Sequence, residues 1–278
     1  MLTTDAGLGM DPEEVIMSIA FVGGGRVTRI LLGGWCAAGA VPPDVLIHDP
    51  DDAAIEAARA YAPAARRASL EESARAGVVF LALHPPAIAA VLAELRPRLA
   101  PDAIVVSLAP KVTLGALAEA TGTARVARMI PNAPSLIGRG YNPVAFGAGL
   151  DEPGRTRLEA LFRPWGQAPV VAERDLEAYA ILSGMGPTYL WFQWQALREI
   201  SQDLGLEGSA VDAALSATVT GALATLLDSG LEPRAVMDLV PVKPLAAAEP
   251  RIVEAYREAL PSLHAKIRSV PPAATSPA

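Results

Sequence analysis

The stretch SIAFVGGGRVTRILLGGW, Ser18 to Trp35, decides the fold. A short apolar run leads into three consecutive glycines, and these lead into a segment whose apolar residues recur at helical spacing. Strand, tight turn and helix in that order open a βαβ unit. In a unit of this kind that binds a dinucleotide, one glycine makes the turn, a second lets a diphosphate approach the backbone, and a third packs helix against strand. Gly23 and Gly25 fill the first two roles, with Gly24 between them. The third falls on Thr28, a departure that loosens the helix-strand fit and leaves phosphate binding possible. Arg26 and Val27 open the helix where its free N–H groups favour an anion, and they complete this set of cofactor-binding candidates.

A second apolar run, DVLIHD, ends in Asp49, 24 residues beyond Gly25. An acidic residue near that spacing binds the adenosine ribose hydroxyls and repels a 2′-phosphate. Asp49 has the alternative of capping the next helix, and Arg26 that of neutralising a 2′-phosphate. The expected cofactor is NAD or NADP, with NAD favoured through Asp49. His84 and Lys111 follow the runs VVFLAL and AIVVSLA, at strand ends where open α/β sheets bind ligands. A solvated loop role is open to each.

Outward from this unit, SIAFVG, DVLIHD, VVFLAL, AIVVSLA, RVARMI, PVAFGA and PVVA read as strands separated by helical stretches, which implies a parallel sheet covered on both faces. Ser69 followed by Glu72 fits a capping box. After about Arg174 the strand signal stops, and LEAYAILSG, PTYLWFQWQALREISQDLG, SAVDAALSATVTGALATLLDSG, EPRAVMDLV and AAAEPRIVEAYREALPSLHAKIRS read as helices. The fold class is α/β: a Rossmann-type doubly wound sheet with a C-terminal all-α dimerisation domain. The expected divisions are an N-terminal extension (1–17), a dinucleotide-binding domain (18–173), a helical domain (174–269) and a tail (270–278).

A chain of 278 residues, 51% hydrophobic, is long enough for a sizeable core. Its net charge of −7 leaves no basic surface for a phosphate backbone, which excludes nucleic acid and points to a small-molecule substrate. Cys36 is the only cysteine, so a Cys-based zinc site is excluded; it reads as a core residue, and no metal is expected. The acidic N-terminus is not a signal peptide. Charges, prolines or glycines interrupt every long apolar run, so no membrane helix is expected and the localisation read is cytoplasmic. The alanine-rich helices are apolar around most of their circumference, which implies a homodimer through the C-terminal half.

In ILSGMGPTYLW (Ile181–Trp191) a glycine-punctuated turn precedes a helix that starts at Pro187. Such a helix start favours an anion, with a tight helix-helix turn as the plainer alternative.

FVGGGRVT, RMIPNAPSLIGRG and the segment from GLDEPGR to GPTYLW resemble, in order and spacing, the pyrroline-5-carboxylate reductase family over roughly Ser18 to Leu239. The resemblance implies an N-terminal Rossmann domain, a helical domain that interlocks into a dimer, and reduction of a carboxylate-bearing cyclic imine with NAD(P)H. It implies that Asn132 lies by the nicotinamide and that Ser183, Gly184, Gly186, Pro187 and Thr188 line the substrate pocket. The family's second serine in that turn is Met185 here. Its motif Ser-Pro-Gly-Gly-Thr-Thr, which grips the substrate carboxylate, is replaced after MDLV by PVKPLA, where Pro241 and Pro244 have no N–H to donate. The family's Ala-Gly after the VVSLA strand becomes Pro110-Lys111, and its Lys-Pro after VVFLAL becomes His84-Pro85.

The function expected is therefore NAD(P)H-dependent reduction of an imine or related carbonyl compound, with an altered substrate pocket and an anionic substrate that differs from the family's usual one. Ser183, Thr188, Tyr189 and Lys243 are the catalytic candidates, since a ketone would need an acid from Tyr189 or Lys243 with Lys111 behind them. Lys243 also has the plainer reading of a solvated loop lysine. Authentic pyrroline-5-carboxylate reduction and a non-catalytic dinucleotide-binding dimer are the alternatives.

Overall fold

The computed structural model describes residues 18–83 and 85–268. The expected extension (1–17), the tail (270–278) and the cofactor candidate His84 lie outside the described residues.

Strands and helices alternate from the start: β1 (Ile19–Val22), α1 (Arg26–Ala37), β2 (Val45–His48), α2 (Asp52–Arg59), β3 (Arg66–Arg67), α3 (Leu70–Ala74), β4 (Val78–Leu81), α4 (Pro85–Leu95), β5 (Ile104–Ser107), α5 (Leu114–Thr121) and β6 (Val126–Met129). Then come β7 (Gly140–Tyr141), β8 (Val144–Phe146), α6 (Glu152–Phe162) and β9 (Gly166–Gln167). The main sheet runs β3-β2-β1-β4-β5-β6-β8, parallel throughout except for the antiparallel β8, while β7 and β9 pair separately. This is the doubly wound order in which the chain reverses direction beside β1. The segment PVVA, read as a strand, contributes only an isolated bridge between Val170 and Val144, through Val144 N–H to Pro169 O and Val171 N–H to Val144 O.

Alternation along each strand divides the core. Ile19, Phe21, Val45, Ile47, Val78, Phe80, Ile104 and Val106 face one layer, with α1, α2 and α6; Ala20, Val22, Leu46, Val79, Leu81 and Val105 face the other, with α4 and α5. The first layer centres on aromatic rings: Phe21 stacks on Phe80 at 4.9 Å and Trp35 lies 4.9 Å from Trp165. Each indole N–H finds a carbonyl, Trp35 donating to Leu161 O at 2.9 Å and Trp165 to Leu31 O at 2.8 Å. Cys36, expected in this core, is exposed, because Trp35 takes the inward position on α1 and turns its neighbour outward.

Further helices follow: α7 (Leu176–Tyr179), continued by a π turn at Ala180–Gly184, then α8 (Gly186–Asp203), α9 (Gly208–Asp228), α10 (Pro233–Met237) and α11 (Glu249–Ile267). Among the described residues, 18–184 together with Ile267 and Arg268 form one compact unit and Met185–Lys266 another. Glu173 and Glu177, which both pair with Arg128 of β6, lie in the first of these units.

In the second unit α8 and α9 are joined by an Arg198–Asp212 ion pair at 2.5 Å, and Tyr189 of α8 meets Tyr256 of α11 edge-on at 5.8 Å. By length and composition α9 is apolar enough to cross a membrane, although Asp212, Gly221 and Asp228 interrupt its run.

Candidate active site

The glycine bend at the end of β1 is fixed by close approach. Gly23 has φ +107°, and a Cβ there would lie 2.4 Å from the Ala82 carbonyl oxygen at the end of β4. Only glycine fits. A Cβ on Gly25 would meet nothing within 4 Å, so the backbone at the start of α1 faces open space. In this unit α2, α3, α5 and α6 begin with side-chain caps from Asp51, Ser69, Thr113 and Asp151. Gly25 caps α1 with no side chain at all. The N–H groups of its first turn, including those of Arg26 and Val27, are left for a ligand with anionic oxygens. Thr28, placed where a third glycine was expected, is fully buried, and its hydroxyl donates to the Gly23 carbonyl at 2.5 Å. It fastens helix to turn instead of loosening them.

Asp49 is locked beside this bend. One carboxylate oxygen accepts the Gly24 N–H at 2.7 Å and the other the Asp51 N–H at 2.9 Å. Asp51, not Asp49, caps α2, accepting from Ala53 N–H at 2.9 Å. Each Asp49 oxygen keeps lone pairs for a ribose hydroxyl. A cavity of about 400 Å³ beside it is lined by His48, Asp49, Arg67, Ser69 and Glu72. Arg67 is paired with Asp52, and the Glu72 carboxyl is held below its usual range by hydrogen bonds from the Ser69 backbone and hydroxyl. The donor set, exposed helix amides for a diphosphate and a carboxylate for a ribose, fits a dinucleotide. Among the described residues no cluster of three or more His, Cys, Asp or Glu is placed to hold a metal.

Asn132 follows β6 in a buried polar knot. Its backbone N–H donates to Asn142 Oδ1 at 2.8 Å, which also accepts the Ser135 hydroxyl at 2.9 Å, and its side-chain amide donates to the Ser183 carbonyl. Ser183, in the π turn, donates its hydroxyl to Tyr179 O at 2.9 Å. Asn132 and Ser183, given separate roles by sequence, are thus brought together, with Asn132 holding the turn that carries Ser183. Gly184 adds a close approach, since a Cβ there would lie 3.1 Å from Ile130.

Lys111 has φ +77°, the only positive value at a non-glycine position among the described residues. It follows Pro110 in a turn, and a proline followed by a residue of positive φ is the signature of a type II turn, whose third position favours glycine. The left-handed conformation costs a lysine about 1–2 kcal/mol.

In the second unit, α8 starts at Gly186, one residue before the expected Pro187, with Met185 as an N-cap that makes no side-chain bond. The exposed Thr188 donates its hydroxyl back to Met185 O at 2.6 Å. Burial, with Tyr256 alongside, pushes the Tyr189 phenol above its ordinary value. Lys243 is tied to Asp238 at 2.7 Å, which holds that carboxyl below its usual range. Lys243 lines a largely apolar cavity of about 880 Å³ with Leu197, Met237, Val240, Leu245 and Ile252.

Two groups of positioning residues escaped the sequence reading. A Cβ on Gly33 would lie 2.2 Å from Leu136, and one on Gly34 2.3 Å from the Ser135 carbonyl, so these glycines seat α1 against the 133–137 turn that follows Asn132. Their only sequence signal is a Gly-Gly pair inside a helix, where glycine is otherwise unfavourable. Arg128, 1% exposed, donates to Glu173 at 2.9 Å and Glu177 at 2.5 Å, and Glu173 also accepts the Leu114 N–H at 2.6 Å. An arginine inside a strand otherwise apolar was its signal.

Residues 18–111 match the family described as NADP oxidoreductase coenzyme F420-dependent. The pyrroline-5-carboxylate reductase of Escherichia coli (strain K12) is 29% identical over 225 residues, covering 80% of this chain and 84% of its own. That of Corynebacterium melassecola is 29% identical over 221 residues, 78% and 82% of the two chains. Among solved structures, a pyrroline-5-carboxylate reductase from Coxiella burnetii superposes with a TM-score of 0.65 at 26% identity, covering 91% of this chain and 95% of that one. The fold is shared with Plasmodium falciparum pyrroline carboxylate reductase with NADP bound, at a TM-score of 0.74 and 18% identity over 91% and 97% of the chains. Motif order, glycine bend and fold agree: over most of its length the chain is similar to the pyrroline-5-carboxylate reductases.

Proposed function

We propose that this chain is an NAD(P)H-dependent reductase of a C=N bond in an anionic substrate, with a substrate pocket altered from that of its relatives. The observation that carries this is the uncapped start of α1 behind the Gly23–Gly25 bend, with Asp49 locked to Gly24. The reduced dinucleotide, when bound, supplies the hydride. The first turn of α1 would hold its diphosphate and Asp49 its adenosine ribose. Asn132 fixes the Ser183 carbonyl, and the Ser183 hydroxyl oxygen, whose O–H is hydrogen-bonded to the Tyr179 backbone carbonyl, keeps lone pairs that can accept the N–H of a protonated imine.

No strong acid is poised among the candidates. The Tyr189 phenol is pushed up by burial and so holds its proton, and the Lys243 ammonium is engaged with Asp238. A ketone needs proton donation during hydride transfer, whereas an iminium ion arrives protonated, so this chemistry favours C=N over C=O.

NADH is favoured over NADPH, because Asp49 and Glu72 face the same cavity and Arg67, the cation there, is spent on Asp52. The working form is a cytoplasmic homodimer in which a second copy covers α8 and α9. Trp191 is 48% exposed, Phe192 68%, Leu223 56% and Leu227 69%, and a second copy with the same faces would bury them.

Fluorescence titration of the four tryptophans with NADH and NADPH, followed by oxidation assays over cyclic imine carboxylates and keto acids, tests the reading. Tight NADH binding with turnover of an imine is expected. Failure of both dinucleotides to bind at millimolar concentration would sink it, and fast turnover of pyrroline-5-carboxylate itself would return the pocket to the family's usual substrate.

A further inference from the structure

We propose that Lys111 is the residue that recognises the substrate's carboxylate. The proposal rests on the imine-reductase reading above and names the group that makes that site selective for anions.

The backbone gives the first argument. Lys111 is the one non-glycine residue with positive φ among the described residues, and Pro110 before it helps shape a turn that glycine would fill without strain. No hydrogen bond or ion pair within the described structure offsets that strain: Lys111 is exposed and its ammonium has no partner there. Strain that the fold does not use is characteristic of residues kept for a ligand.

Placement gives the second. The turn follows β5, which lies between β4 and β6 in the sheet. It therefore shares the carboxyl edge with the Gly23 bend after β1 and with the Asn132–Ser183 knot after β6. Asp49 and its cavity lie after β2, on the opposite side of β1. A dinucleotide whose adenosine sits on the β2 side extends its other half towards β4 and β5. Lys111 thus stands at the reacting end of the site.

Charge gives the third. Lys243, the sequence-based candidate for an ammonium in this role, is committed to Asp238, and Arg128 of β6 is committed to Glu173 and Glu177. A lysine supplies a compact positive charge with three rotatable donors on a flexible stem, suited to a carboxylate approached from more than one direction.

The test uses the full-length protein in four forms: wild type, Lys111→Gly, Lys111→Met and Lys111→Arg. NADH affinity is measured by tryptophan quenching. With NADH saturating, binding of L-proline and L-pipecolate is measured by calorimetry, against pyrrolidine and piperidine, the same rings without the carboxylate. In Lys111→Gly and Lys111→Met the carboxylates are expected to bind about tenfold or more weakly, as loss of a charge-assisted hydrogen bond predicts. NADH affinity and binding of the bare rings are unchanged, and Lys111→Arg restores carboxylate binding. Lys111→Gly is also expected to raise Tm by about 2–4 °C through relief of the turn.

Equal carboxylate affinity in wild type and Lys111→Gly would overturn the proposal. So would a loss of NADH affinity as large as that for the carboxylates, or a wild type that binds NADH and neither carboxylate. A wild type that binds no dinucleotide removes the imine-reductase reading itself, a result distinct from all of these.

Discussion

The two units of this chain solve opposite problems. Residues 18–184 bury Phe21, Trp35, Phe80, Phe162 and Trp165 and pair most of their buried polar side chains within the unit, as in the Asn132 knot and the Arg128 ion pairs, while Arg29 Nε, Ser73 Oγ and Arg128 Nε have no hydrogen-bond partner among the described residues. In residues 185–266 Val211 is the only apolar side chain that is buried, and α8, α9 and α10 begin without side-chain caps. The first unit is complete as a folded object; the second displays the apolar surface that a core would use. The difference is that the exposed apolar faces lie where the proposed second copy would cover them. Stability of the first unit should therefore be independent of protein concentration, and that of the second should rise with it.

The strongest way to break this comparison is at Arg128. Arg128→Ala leaves two carboxylates without their cation, one of them buried, and should cost about 3–5 kcal/mol in urea unfolding at any protein concentration. A loss that shrinks as concentration rises would contradict the self-contained first unit. Gly23→Ala comes next, because a Cβ would strike the Ala82 carbonyl and positive φ is disfavoured for alanine. It should cost about 3 kcal/mol in stability and abolish NADH quenching of tryptophan fluorescence.

Leu227→Glu sharpens the other side. On a helix face that stays in water, such a change moves stability by no more than about 0.5 kcal/mol. If a second copy covers α9, it removes about 1.5–3 kcal/mol of burial per subunit and shifts sedimentation from dimer towards monomer. Unchanged sedimentation would leave these helices truly exposed. Smallest is Ser69→Ala in the capping box of α3, expected at about 1 kcal/mol by thermal melt. The same box gives a pH test. Glu72 is lowered in the folded state, so its contribution is present above its ordinary value of 4.5 and fades as pH falls through the folded pKa; Glu72→Gln should flatten that acid limb.

Much of the first unit was legible because its signals are local. The glycine run between β1 and α1, the alternation of the strands and the Ser69–Glu72 pair each act within a few residues. What could not be read depends on partners distant in sequence or on loop geometry. Nothing near Arg128 announces Glu173 and Glu177, whereas the Lys243–Asp238 pair and the φ of Lys111 are local but depend on loop geometry that the residue types there do not specify. PVVA has strand composition, but it makes only one isolated bridge, to Val144. In the second unit the helices were legible by period and their surroundings were not, since an apolar face reads alike whether it meets its own chain, a copy or lipid.

The paired glycines at 33 and 34 carry a consequence for how this chain can change over time. Side chains there would overlap Leu136 and the Ser135 carbonyl, so helix and turn are seated like a key in a lock. Neither partner can enlarge alone. Among homologous sequences a bulkier residue at either position should appear only together with a compensating change at 135 or 136, and that covariation would mark the seam where the phosphate-binding helix and the asparagine turn were selected as one piece.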